Sequence, residues 1–152
     1  MIRDELKAAL IAAMKGGDKP GVATIRMIQS SVKNRDIELR TGTAPADDDL
    51  LVTEVMQKMI KQRRESEALY RQGGRPELAD AEQAEIVIIE NFLPRQMSED
   101  EAQAAIAAVI AELGATSMKD MGRVMAEVKT RHASSIEPAR ASGLVKSLLS
   151  GA

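Results

Sequence analysis

The chain contains no cysteine and no tryptophan, and only one histidine, one tyrosine and one phenylalanine. Without thiols there are no disulfides and no thiolate zinc sites, which is compatible with a reducing compartment. With His132 as the single imidazole, a metal centre would need carboxylates for its remaining ligands, so neither a metal nor a cofactor is expected. The scarcity of aromatic rings disfavours readout of unpaired bases, which relies on stacking platforms. No apolar run approaches the roughly 20 residues that span a bilayer. The opening Met1-Ile2-Arg3-Asp4-Glu5-Leu6 is amphipathic and acid-containing, unlike a signal peptide. The expectation is a soluble cytoplasmic protein with no membrane partner.

A dominant charge of one sign is also missing. The balance of 21 basic and 23 acidic residues leaves a net charge of −2. That excludes a protein that coats phosphates through bulk charge, so any contact with RNA must come from a local patch. A chain of 152 residues, 44% hydrophobic and 29% charged, can bury a core without staples and fits one or two small domains.

What the chain does have is helix-packing grammar. Ile2, Leu6, Ala9, Leu10, Ala13 and Met14 recur at helical spacing and stop at Gly16-Gly17. Asp18 can cap a second helix, with Pro20 in its first turn and Ile25, Ile28, Val32 and Leu39 on one stripe, running to about Arg40. Asp47-Asp48-Asp49 favours the start of a third helix to about Gln72, burying Val52, Val55, Met56 and Met59. Pro76 opens a fourth. Its Ile86-Val87-Ile88-Ile89 has strand propensity alone, but the helix-forming flanks favour a helix buried around much of its circumference.

Leu93-Pro94 ends that helix, because proline disfavours helical geometry in the residue before it. Ser98-Glu99-Asp100-Glu101 then matches a capping box for a fifth helix closed by Gly114. Ser117 and Asp120 repeat the pattern for a sixth, expected to bury Met118, Met121, Met125 and Val128. A last short helix carries Leu144, Val145, Leu148 and Leu149. The fold expected is all-α, with an N-terminal four-helix domain over residues 1–94 and a C-terminal three-helix domain over 97–152, divided near Pro94.

No catalytic set stands out. Ser134 and Ser135 are too close to His132 in sequence to suggest a triad, and the glycine pairs match no phosphate loop. The basic residues say more. Arg26, Lys33 and Arg40 recur every seven residues, a line down one helix with charges about 10 Å apart. In the C-terminal part Lys119, Arg123, Lys129, Arg131, Arg140 and Lys146 are candidates for nucleic-acid contact, although such charges are equally a solvated face. Arg63 falls on the Val52–Met56–Met59 stripe, so it snorkels or meets a carboxylate at a helix or domain interface. Gly122 inside a helix costs about 1 kcal/mol relative to alanine, which points to a close crossing or a contact surface.

Three segments carry a family resemblance. Arg26-Met27-Ile28 through Asn34-Arg35-Asp36-Ile37-Glu38-Leu39, then Lys61-Gln62-Arg63-Arg64-Glu65-Ser66, then Glu90-Asn91-Phe92-Leu93-Pro94-Arg95-Gln96-Met97-Ser98, resemble the YqeY proteins. The Ser117–Met125 stretch resembles the C-terminal GatB/YqeY domain. That domain is similar to the tail of the B subunit of the tRNA-dependent amidotransferase, a helical module that contacts tRNA while the chemistry lies elsewhere. The resemblance implies tRNA, an aminoacyl-tRNA synthetase or an amidotransferase subunit as partner. It brings a carbon–nitrogen ligase label, with glutamine as amido-N-donor, but no active site. Where the family often has a basic-Ala-Asp-Gly turn before the last helix, this chain has Arg140-Ala141-Ser142-Gly143, with Ser142 as the expected cap.

Overall fold

The computed structural model describes residues 1–151, in which seven α-helices and no strand occur, so the fold is all-α. The helices fall into two compact units, Met1–Leu93 and a second beginning at Pro94. The first holds α1 (Ile2–Lys15), α2 (Lys19–Glu38), α3 (Asp48–Gln72) and α4 (Pro76–Glu90). The second holds α5 (Glu99–Leu113), α6 (Met121–His132) and α7 (Pro138–Leu149). Among the described residues, no helix is long and apolar enough to cross a membrane.

Local chemistry sets most boundaries in the first unit. The Asp18 carboxylate accepts from the Gly21 N–H at 3.0 Å, capping α2, with Pro20 in the first turn. A Cβ at Gly21 would crowd that carboxylate, so a larger residue there would have to displace it. Asp47 caps α3 through the Asp49 N–H at 3.0 Å. The buried faces of the four helices, including Leu6, Ile28, Val52, Met56, Ile86 and Ile89, close into one core. The strand-prone Ile86–Ile89 run is helical and buries Ile86 and Ile89, but Val87 is 49% exposed, so less of the circumference is covered than its hydrophobicity suggests. Helix α4 ends at Glu90, ahead of Leu93-Pro94.

In the second unit Ser98 and Glu101 form the expected capping box on α5, and Gly114 closes it in the left-handed region at φ 63°. Ser117 and Asp120 form another, but around a single 3-10 turn, Met118–Asp120, that precedes α6. That turn shifts the helical phase. Met118 is therefore 41% exposed rather than buried and Met121 and Met125 are only partly buried, while Val128 is buried as expected and Val124 joins it in the core. Helix α7 begins earlier than expected, capped by Glu137 through the Ala139 and Arg140 N–H groups. Arg140-Ala141-Ser142-Gly143 accordingly lies inside α7 rather than before it, and Ser142 is not its cap.

Gly122 also departs from expectation. It is exposed, and a Cβ built there meets nothing within 4 Å, so no close crossing within the chain requires it. Gly122→Ala should raise stability by about 0.4–1 kcal/mol through helix propensity and unfolded-state entropy. Chemical denaturation measures this; a loss of stability would show that the glycine serves the fold.

Candidate functional site

The basic residues divide by type. In the second unit the arginines are engaged by the fold. Arg123 donates to the Leu113 carbonyl at 2.8 Å and to Asp120 at 2.9 Å, joining the end of α5 to the start of α6. Asp120 also accepts from the Thr116 and Ser117 N–H groups at 3.0 and 3.3 Å. These backbone donors and the Arg123 guanidinium hold its carboxyl below the usual carboxylate range. Arg131 bridges Glu112 and Glu127, both at 2.7 Å, which pushes its own pKa further up. Arg140 donates to the Met97 carbonyl at 2.8 Å, while the Met97 N–H donates to the Ser135 carbonyl at 2.9 Å. A planar fork with five donors suits these braces.

The lysines are different. Lys119, Lys129 and Lys146 are exposed, and among the described residues none has an ion-pair partner. Lys129 shares the outer face of α6 with Gly122 and Ala126, which leave the backbone open to close approach. His132 closes α6 and contributes its backbone carbonyl to the Ser135 and Ile136 N–H groups.

In the first unit the expected line of cations is broken. Arg26 and Lys33 are exposed on α2, whereas Arg40 lies beyond its end, in a 3-10 turn at Leu39–Thr41. Arg63 is only 8% exposed and pairs with Glu85 at 2.8 Å, so its interface is between α3 and α4. It also donates to the Met59 carbonyl at 3.2 Å. Glu82 stands on the same helix as Glu85. Burial, and then the neighbouring Glu85 charge, push its carboxyl pKa up against the pull of Arg63.

One constellation was not visible in the sequence. Arg3 holds Asp36 through two bonds of 2.9 Å and Asp48 through bonds of 2.8 and 2.9 Å, joining α1, α2 and α3. The Ile2 N–H donates to Asp49 at 2.9 Å. Alternating charge in Met1–Leu6 was its only trace. Among the described residues, no group of three or more His, Cys, Asp or Glu side chains could hold a metal.

A profile of the family described as Yqey-like protein matches residues 3–149. The protein named Altered inheritance of mitochondria protein 41, mitochondrial, from Kluyveromyces lactis is 32% identical over 111 residues, covering 71% of this chain and 58% of that protein. Its namesake from Lachancea thermotolerans is 30% identical over 114 residues, covering 74% and 57%. An uncharacterized protein of Schizosaccharomyces pombe is 27% identical over 93 residues, covering 61% and 72%. The chain thus spans between 57% and 58% of the length of the two mitochondrial relatives.

Two acid substitutions should respond to pH with opposite signs. Asp120 has a folded-state pKa below 3.8, so its stabilisation is present above that value and lost as pH falls through the folded pKa. Asp120→Asn should be less stable than the parent at pH 7, with the gap closing in acid. Glu82 has a folded-state pKa above 4.5, so its ionisation opposes folding as pH rises. Glu82→Gln should be more stable at pH 7 and equal to the parent at pH below about 4. Thermal melts across pH check both; pH-independent differences would remove the electrostatic account.

Proposed function

Since the chain belongs to the YqeY-like family, we propose that it is an accessory helical protein that binds tRNA, or a complex that charges or amidates tRNA, without catalysing a reaction by itself. The observation that carries this reading is the division of labour in the second unit. Arg123, Arg131 and Arg140 are occupied by backbone carbonyls and carboxylates, while Lys119, Lys129 and Lys146 present charge to solvent. A compact ammonium on a flexible stem suits phosphate contact that follows shape rather than base identity. Open backbone at Gly122 permits a ribose–phosphate chain to approach α6 closely. The family resemblance supplies tRNA as the RNA. Docking onto a synthetase or amidotransferase subunit is the rival outcome.

Binding of total tRNA to the full chain should weaken steeply with salt, by roughly 0.7–0.9 in logarithmic slope per phosphate contacted. Replacing Lys119, Lys129 and Lys146 together by alanine should reduce that slope by about 2–3 while leaving the thermal melt unchanged. An unchanged slope, or no retardation of tRNA at low salt, would sink the reading. Salt-insensitive capture of a synthetase or amidotransferase subunit after nuclease treatment would replace it with the docking one.

A further inference from the structure

The corner where α1 turns into α2 holds a shallow depression of about 450 Å³. Its lining includes Met14, Val22 and Ala23 as apolar surface, with Lys19 and Arg26 as cations and Asp18 as the single acid. The acid is already used, since its carboxylate folds over Gly21 to cap α2. Arg26 lies 3.8 Å from the Met14 sulfur and has no carboxylate partner among the described residues, so most of its donors remain open. Met14 within the lining is 48% exposed, and outside it Ile11 on α1 and Met27 on α2 are 50% and 44% exposed, the Met27 sulfur lying 3.8 Å from Arg63.

Charge on the two helices is lopsided. Lys15, Lys19, Arg26 and Lys33 are exposed, and among the described residues none is in an ion pair. The acids of α2 are neutralised, Asp36 by Arg3 and Glu38 by Arg35. Asp4 and Glu5 lie in the first turn of α1, at the other end of that helix.

We propose that this depression docks an acidic amphipathic helix from a partner protein. Apolar side chains on one face of the incoming helix enter the Met14–Val22–Ala23 surface, and flanking carboxylates meet Lys19 and Arg26. Unbranched methionines repack around a guest at small cost, which suits a helix-in-groove contact. RNA fits less well, because phosphates gain nothing from apolar surface and no aromatic ring lines the site. A bilayer presents a plane, whereas a concave site takes a protruding ligand.

The test uses the full chain carrying ¹³C-methyl methionine. The probe is a designed peptide with leucines at helical spacing flanked by glutamates, against a control of identical composition with the leucines scattered. The Met14 and Met27 methyl signals should shift saturably with the amphipathic peptide, while that of buried Met56 stays in place. The control should bind about tenfold more weakly, and Lys19→Glu with Arg26→Glu should weaken the amphipathic peptide at least as much. Met14→Gln, which keeps the length of the side chain, should weaken it without altering the thermal melt. Equal binding of the two peptides, unmoved Met14 and Met27 methyls, or an unaffected double variant would overturn the proposal. So would total tRNA or phosphatidylglycerol vesicles shifting these two methyls in place of the peptide.

Discussion

The first unit is organised around one guanidinium. Arg3, in the first turn of α1, reaches Asp36 near the end of α2 and Asp48 in the first turn of α3. An acid near a helix C-terminus faces the negative end of the dipole, so Asp36 is unfavourably placed unless a cation neutralises it. Arg3 does so, and hydrogen bonding to it lowers the Asp36 pKa. Asp48 sits at a positive helix end and accepts the other side of the fork. The side chains keep about a third of their exposure, so screening limits the energy. What the contact supplies is direction. Three helices whose apolar faces alone could slide against one another are fixed in register by a planar group with two occupied edges.

The same contrast between arginine and lysine runs through the second unit. Arginine's fork holds Leu113, Met97 and a pair of glutamates, so removing one of these side chains leaves backbone or carboxylate groups without their partner. Among the described residues Lys119, Lys129 and Lys146 have no ion-pair partner, so their charge can change without breaking an ion pair there. Counting cations therefore overstates the surface available to a partner, and sorting them by what they already touch brings it down to a few positions.

Legibility in the sequence follows the distance over which an interaction acts. Asp18, Asp47, Ser98 with Glu101, and Ser117 with Asp120 bond within three residues of themselves, and each was readable as a cap. Arg63 could be read as anomalous because a cation interrupted an apolar stripe, but Glu85 lies 22 residues away and could not be named. Arg3 gave no comparable signal, since its partners are 33 and 45 residues distant. Errors of phase arose where a short element intervened. The 3-10 turn rotated Met118 outward, and Glu137-Pro138 started α7 before the serine that seemed its natural cap. For the candidate site, residue type and place were legible, but occupancy by internal partners was not.

The bond from the Ile2 N–H to Asp49 has a consequence for the order of assembly. Met1 offers α1 no side-chain cap, so the helix is finished by a residue 47 positions further along the chain. During synthesis α1 leaves the ribosome well before that carboxylate does, and with 14 residues it is marginal as an isolated helix. Its first turn therefore gains this cap only once α3 has formed and packed beside it, so the completed start of α1 reports that α1 and α3 have met.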